Sequence, residues 1–259
     1  MTEVPTPGDP KPTQTPRRTR EKRLSRRERT RRQAEEDRKT RLAEPAHVTF
    51  VNAEASPTLS GLIERVKTTL PDEDVISTAL SGYKYKSRPF SPGLVAEAHT
   101  NLVLAQAVDE SNHTMLLDPV TSATTDNFVF KRTDHGLNVK RRHTHNSPVV
   151  EYDAMTIDGD GLLTVWNPKL TKDRIGQYIT PAEINRFFDP LLELKDLDER
   201  SNKILGIKSF AYVLVVAEDH AQSNEKGNRA DFKALGGEIV HMRGSYDDFV
   251  ALAQRITQK

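Results

Sequence analysis

One short segment of the sequence carries two carboxylates, an amide and a lysine at a spacing that suits phosphate chemistry: Glu151, Asp153, Asn167 and Lys169. Carboxylate oxygens are ligands for hard cations such as Mg²⁺, and such a cation polarises a phosphate and acidifies a bound water. A lysine beside them can steady the attacking water or the negative charge that develops during reaction. The segment therefore suggests a metal-dependent phosphodiesterase site.

A β-hairpin is predicted to position these side chains. Residues 149–157 and 162–169 are rich in β-branched and aromatic residues, and Asp-Gly-Asp-Gly lies between them at 158–161. Because glycines accept the positive φ angles of tight turns, this pattern is a strong hairpin signal. We expect two strands joined by the three-residue loop 159–161.

The loop length decides which side chains share a face of the hairpin. With a three-residue loop, Asp153 lies opposite Asn167 and Glu151 lies opposite Lys169. Side chains alternate along a strand, so all four fall on one face. A two-residue loop or a bulge would move Asn167 and Lys169 to the other face. An exposed hairpin can also carry such residues for solubility alone.

The Asp153, hairpin and Asn167-Pro168-Lys169 arrangement resembles the PD-(D/E)XK nuclease superfamily, which includes restriction enzymes and many repair nucleases. In that pattern an Asp ends one strand, and (D/E)-x-K lies on the next. The resemblance implies a metal-dependent nuclease with Asp153 as a ligand and Lys169 as a catalytic residue. The departure is Asn167, a neutral amide where the pattern has a carboxylate. Either the site is inactive, or Glu151 supplies the missing carboxylate.

A third carboxylate comes from a helix predicted to begin at Ser91-Pro92, since Ser is a good N-cap and Pro suits the first helical position. In the nuclease family a helix with a glutamate often precedes the first core strand, and Gly93-x-x-x-Glu97 resembles that feature. The resemblance implies that Mg²⁺ or Mn²⁺ is bound by Asp153, Glu151 and Glu97. The alternative for Glu97 is a surface glutamate in the second helical turn, where the helix dipole favours it.

The charge distribution suggests a polyanionic partner. Residues 17–41 hold 13 Lys/Arg against 5 Asp/Glu, a net charge of +8, although the whole chain carries only +1. Counterion release makes such an arm a non-specific tether for nucleic acid. We expect four of its arginines to contact phosphates: Arg26, Arg27, Arg31 and Arg32. A solubilising tail, an acidic protein partner or an anionic membrane remain alternatives.

A second basic run, at Lys140, Arg141 and Arg142, directly precedes the strand that carries Asp153. We interpret it as a basic lip that holds the nucleic-acid backbone beside the site. His143 and His145 have a spacing that can bind metal from a strand, but without a third ligand nearby we expect solvated loop histidines.

The remaining pattern predicts a three-layer α/β domain with a central mixed sheet at residues 46–259 and a disordered basic arm at 1–45. The resemblance implies that this domain is restriction-endonuclease-like. Residues 210–217 form a continuous apolar run typical of a strand buried on both faces. Thr180-Pro181-Ala182-Glu183 is a capping box that begins a helix. Asp189-Pro190 is predicted to interrupt that helix, because residues before proline avoid the helical region.

Composition limits the classes of protein. The 259 residues include no cysteine, which excludes disulfides and cysteine-based zinc sites. No apolar run approaches the ~20 residues of a membrane span, and no signal peptide is evident, so we expect a cytoplasmic protein without a membrane partner.

Three hypotheses follow from these patterns. The first is a nuclease, with DNA favoured over RNA and with a homodimer as the resemblance allows. The second is a catalytically degenerate member of the same fold that binds nucleic acid. The third is a protein-interaction module for which the arm is only a tether.

Overall fold

The computed structural model of this chain describes residues 56–81, 90–110, 114–116, 123–133, 136–142, 149–170, 178–203, 205–217, 229–230, 232–233 and 237–258. The predicted arm, including Arg26, Arg27, Arg31 and Arg32, lies outside these residues. Within the described ranges, no helix combines the length and apolar character needed to cross a membrane.

The domain is of the α/β class, as predicted. In chain order its elements are α1 (Pro57–Thr68), α2 (Glu73–Ser81), α3 (Pro92–Asp109), β1 (Thr114–Leu116), β2 (Ala123–Thr124), β3 (Phe128–Thr133), β4 (Gly136–Arg141), β5 (Val150–Tyr152), β6 (Ala154–Asp158), β7 (Leu162–Lys169), α4 (Pro181–Arg200), β8 (Ser209–Val216), β9 (Glu238–His241) and α5 (Tyr246–Gln258). The predicted N-cap is confirmed for α3, where the Ser91 hydroxyl accepts a hydrogen bond from the Leu94 backbone N–H.

A five-stranded mixed sheet in the order β1-β6-β7-β8-β9 forms the centre of the domain. The β6–β7 hairpin has the predicted register, with Ile157 opposite Leu163 and Ala154 opposite Trp166. Gly161 closes its turn at φ +80°, and a Cβ there would collide with the Gly206 carbonyl oxygen. β8 and β9 follow in parallel to β7, so the sheet is mixed, as expected.

A second, four-stranded antiparallel sheet in the order β2-β3-β4-β5 was not predicted. The sequence suggested one strand over residues 149–157, but the structure divides this segment at Asp153 into β5 and β6, which belong to different sheets. Lys140 and Arg141, of the basic run that the sequence suggests as a lip, end strand β4. Phe128 and Phe130 lie on one face of β3, and this apolar face packs into a hydrophobic core.

The five-stranded sheet is covered on both faces. Four helices, α1, α2, α3 and α5, share one apolar core with one set of its side chains, including Trp166 and Val213. Helix α4 and the second sheet share the other core, which includes Tyr152, Phe188 and Tyr212. The arrangement therefore has three layers, and β8 is buried on both faces as predicted.

Helix α4 corrects one expectation. Thr180 caps it by accepting a hydrogen bond from the Glu183 backbone N–H, as predicted. The helix then runs without interruption through Asp189-Pro190 to Arg200, so the predicted break is wrong. Phe188 and Leu191, on either side of the proline, are both fully buried. Tertiary packing of this apolar stripe outweighs the local preference against helix before proline.

Candidate active site

Asp153 lies where the chain passes from the second sheet to the central sheet. It is the bend residue between Tyr152 of β5 and Ala154 of β6, and only 7% of it is exposed. The Nζ of Lys169, at the end of β7, donates a hydrogen bond to its Oδ2 at 2.9 Å. The structure therefore brings together the two residues most central to the sequence-based prediction.

Asn167 occupies the next position along the β6–β7 ladder, beyond the pair Ala154 and Trp166, on the Asp153 side. Its side chain is buried, and its Nδ2 donates to the hydroxyl oxygen of Tyr212 at 2.7 Å. Its Oδ1 is also buried and has no hydrogen-bond partner among the described residues. An unsatisfied buried acceptor costs about 1–3 kcal/mol, so this oxygen is suited to accept a water or to bind a cation.

Glu97, in the second turn of α3, is half-buried rather than a fully exposed surface residue. Burial is the main cause that raises the pKa of Glu97 to about 8, and the Asp153 carboxylate raises it further. Glu151 acts in the same direction, whereas Lys169 lowers the pKa. Glu97 therefore lies within electrostatic range of Asp153, Lys169 and Glu151.

Glu151 is placed differently from the prediction. It lies on β5, it is exposed, and it pairs with Asn138 of β4 rather than with Lys169. The expected ladder pairing is wrong because the chain changes sheets at Asp153. The Glu151 carboxylate nevertheless raises the pKa of Asp153, so it remains within electrostatic range.

The cluster that we call the Asp153 site contains three carboxyl groups, one amide and one lysine: Glu97, Glu151, Asp153, Asn167 and Lys169. Burial raises the pKa of Asp153, and the neighbouring Lys169 opposes that rise. Burial alone would lower the pKa of Lys169, but Asp153, Glu97 and Tyr178 together outweigh it and the pKa is raised. Lys169 is thus held in its charged form, and the carboxylates remain in excess over it.

This donor set fits Mg²⁺ or Mn²⁺ by its chemistry, since both prefer carboxylate and carbonyl oxygens. In the conformation seen here, no group of three or more His, Cys, Asp or Glu side chains in the described ranges is arranged to hold a metal ion. The position of Lys169 gives a reason, because its ammonium group occupies Asp153 Oδ2. Cation binding at this oxygen would require Lys169 to move aside.

Two tyrosines complete the surroundings of the site. Tyr178, which follows β7, interacts electrostatically with Lys169 and raises its pKa. Tyr212 lies on β8 and was not singled out from the sequence, because the apolar run around it suggested only packing. A fully buried tyrosine needs a partner for its hydroxyl, and this requirement was the available signal.

The second basic run lies on the second sheet. Lys140 and Arg142 are exposed, and Arg141 is half-buried. Along β4, Lys140 is two residues from Asn138, which lies opposite Glu151, so Lys140 and Glu151 share one face of the sheet. Two sequence-based assignments, His143 and His145, fall outside the described residues.

Comparison of the chain with protein-family models, curated proteins and solved structures gave no match. The geometry and charge of the Asp153 site therefore carry any functional assignment. Its two strongest features are the contact between Asp153 and Lys169 and the nearby excess of carboxylates.

Proposed function

We propose that this chain is a metal-dependent, nuclease-like protein that acts on phosphodiester bonds of nucleic acid. The observation that carries the proposal is the 2.9 Å contact between Lys169 Nζ and Asp153 Oδ2 at the junction of the two sheets. Glu97, on a helix of a different layer, lies close enough for Asp153 and Lys169 to shift its pKa. Such convergence of ionisable residues from separate elements is typical of functional sites.

The architecture supports a restriction-endonuclease-like fold. The hairpin lies within a mixed sheet, Asp153 directly precedes its first strand, and Lys169 ends its second. Helix α3, which carries Glu97, directly precedes β1, the strand that pairs with the hairpin. These relations are similar to those that the PD-(D/E)XK resemblance implies for a metal-binding carboxylate, a hairpin and a lysine, although Asp153 precedes a strand of the central sheet rather than ending one.

The roles of the residues follow from their chemistry. Asp153, Glu97 and Glu151 would hold Mg²⁺ or Mn²⁺, with Asn167 Oδ1 as a neutral oxygen ligand or as acceptor for a bound water. The cation would supply charge neutralisation at the phosphate and a more acidic water. Lys169, released from Asp153, would donate hydrogen bonds to the attacking water or to a phosphate oxygen.

Nucleic acid would be held by basic residues beside the site. Lys140 shares a face with Glu151, and Arg142 follows directly after β4, so an exposed basic edge lies next to the strand that leads into Asp153. Phosphate contacts of this kind give affinity without sequence readout. We propose DNA as the preferred substrate, with the arm arginines as additional contacts and a homodimer as the assembly to test.

A second candidate function is nucleic-acid binding without catalysis, by the same fold. Asn167 favours it, because an amide replaces a charged ligand and its nitrogen is engaged with Tyr212. A protein-interaction role for the domain remains the third candidate, in which nucleic acid is not bound.

A cleavage assay distinguishes these candidates. The full chain is incubated with mixed DNA and RNA in Mg²⁺ or Mn²⁺, beside Asp153→Ala and Lys169→Ala. The matched controls are Asp160→Ala and Lys67→Ala, which change an exposed aspartate in the hairpin turn and an exposed lysine on α1. We expect cleavage by the natural chain and both controls, and its loss in both site variants.

The other outcomes are equally specific. Cleavage that survives Asp153→Ala contradicts the assigned site. No cleavage, with tight binding that weakens steeply as salt rises, supports the non-catalytic nucleic-acid function. If the chain shows neither cleavage nor salt-sensitive binding of nucleic acid, the protein-interaction role is the remaining candidate.

A further inference from the structure

Asn167 is held by a residue that has no other assigned role. Its Nδ2 donates to the Tyr212 hydroxyl oxygen at 2.7 Å, and both side chains are buried. Because the amide has a donor end and an acceptor end, this contact decides which end is free. The free end is Oδ1, which has no partner among the described residues.

Tyr212 is itself fixed by packing. Its ring lies 5.2 Å from that of Phe187, 6.1 Å from that of Phe188 and 5.6 Å from that of Phe232, measured between centroids. The side chain is completely buried on the most apolar strand of the domain. Its hydroxyl is therefore a rigid reference point, and the amide that donates to it has little freedom to turn.

Position 167 is also close to the charged part of the site. Asn167 lies one step beyond the last β6–β7 pair on the Asp153 side, and Asp153 acts electrostatically on Tyr212. An oxygen is the end of an amide that a hard cation or its bound water requires. An outward-facing amide nitrogen would instead repel a cation.

We propose that Tyr212 is a positioning residue, which orients Asn167 so that Oδ1 serves the cation of the Asp153 site as a neutral oxygen ligand or as acceptor for its bound water. This inference rests on the proposed metal-binding function. Asn167 is then a built part of the site, as a neutral oxygen donor. Tyr212 acts only through Asn167.

Mn²⁺ titration of the full chain by calorimetry, without nucleic acid, tests the inference. Tyr212→Phe removes only the hydroxyl, and we expect Mn²⁺ binding about tenfold weaker, at the lower end of the effect typical for residues that orient metal ligands. Tyr152→Phe is the matched control, because it removes another buried hydroxyl, one that donates to the Phe187 carbonyl oxygen at 2.6 Å. We expect that control to bind Mn²⁺ as the natural chain does.

Asn167→Leu and the double variant Asn167→Leu with Tyr212→Phe complete the test. If Tyr212 acts through Asn167, the double variant binds Mn²⁺ no more weakly than Asn167→Leu alone. The inference is overturned if Tyr212→Phe binds Mn²⁺ with unchanged affinity, or if Tyr152→Phe loses as much affinity as Tyr212→Phe does. It is also overturned if adding Tyr212→Phe to Asn167→Leu lowers the Mn²⁺ affinity as much as Tyr212→Phe does alone. If Tyr212→Phe does not melt cooperatively, Asn167→Leu decides alone: unchanged affinity overturns the inference, and weaker affinity supports it.

Failure of the inference is separable from failure of the proposed function. If the natural chain binds Mn²⁺ and Asp153→Ala weakens that binding, the metal site stands whatever Tyr212→Phe shows. If the natural chain does not bind Mn²⁺, or if Asp153→Ala binds Mn²⁺ with the same affinity as the natural chain, the metal site and the role of Tyr212 are both rejected.

Discussion

Asp153 and Asp198 are two aspartates with almost the same burial, 7% and 5% exposed, and with opposite surroundings. The Asp198 carboxylate, near the end of α4, accepts backbone hydrogen bonds from Leu205 at 2.7 Å and from Ile207 at 3.1 Å. Asp153 instead accepts a hydrogen bond from one lysine ammonium group and lies near two further carboxyl groups.

Asp198 stabilises the fold through its hydrogen bonds, whereas Asp153 is kept in its surroundings by the rest of the fold. Backbone N–H groups donate hydrogen bonds to the Asp198 carboxylate, and these bonds fix the path of the chain from α4 into β8. Asp153 is crowded by like charge, an arrangement that a folded chain retains at a cost in stability. Burial of an aspartate alone therefore does not single out a candidate site, and the neighbouring carboxyl groups are what distinguish Asp153 from Asp198.

The largest predicted effect is at Asp198. Replacing Asp198 with Ala removes two charge-assisted hydrogen bonds and leaves the buried Ile207 N–H without an acceptor, so the free energy of unfolding should fall by about 3 kcal/mol. Asp198→Asn keeps one acceptor oxygen and should lose less. Urea denaturation measures both, and a loss under 1 kcal/mol for Asp198→Ala would remove the distinction drawn between the two aspartates.

The second prediction concerns pH. In the folded chain the pKa of Glu97 is raised to about 8 from its ordinary value of 4.5. Protonated Glu97 therefore favours the folded state below pH 4.5, and this contribution is lost as pH rises through 8, with a slope of at most about 1.4 kcal/mol per pH unit. The free energy of unfolding, measured by denaturation in the presence of a chelator, should fall as the pH is raised from 5 to 8.

Glu97→Gln should make that profile shallower without making it flat, because the pKa of Asp153 is raised as well. A control is Glu64→Gln, which changes an exposed glutamate on α1 and should leave the profile unchanged. Parallel curves for the natural chain and Glu97→Gln would show that Glu97 does not share the electrostatic environment of Asp153.

The smallest predicted effect is at position 167. Asn167→Asp adds a fourth carboxylate to the Asp153 site, so stability in a chelator should fall by about 1 kcal/mol, or about 2–4 °C in Tm. Mn²⁺ should then raise the Tm of this variant more than that of the natural chain, because binding relieves the added repulsion. Asn185→Asp, on α4, should leave the Mn²⁺-dependent rise unchanged.

Thermal melts with and without Mn²⁺ measure both quantities for Asn167→Asp. If the variant is as stable as the natural chain in chelator, position 167 is not part of the crowded charge cluster. The contrast between Asp153 and Asp198 would then rest on Glu97 and Glu151 alone.

Local rules were sufficient to predict several elements of the fold. The turn at 158–161 gave the correct register of β6 and β7, because glycine at the third loop position suits the left-handed conformation that closes the turn. The starts of α3 and α4 followed from Ser91 and Thr180, whose hydroxyls accept from backbone N–H groups three residues ahead. In each case neighbouring residues supply the whole interaction.

Glu97 was predicted by resemblance rather than by physical pattern. No periodicity in α3 distinguishes a glutamate that reaches Asp153 from one that faces solvent. Whether Glu97 lies near Asp153 depends on where α3 packs against the sheet, and residues distant in sequence determine that packing.

By itself, the sequence determined the α/β class, the hairpin and the helix caps, because short-range hydrogen bonds and side-chain alternation govern these features. Only the tertiary structure decided that the chain changes sheets at Asp153 and that α4 continues through Pro190. The same holds for the contact between Asn167 and Tyr212, residues 45 positions apart. These features depend on which apolar faces cover one another, and burial overrides local preference when the two conflict.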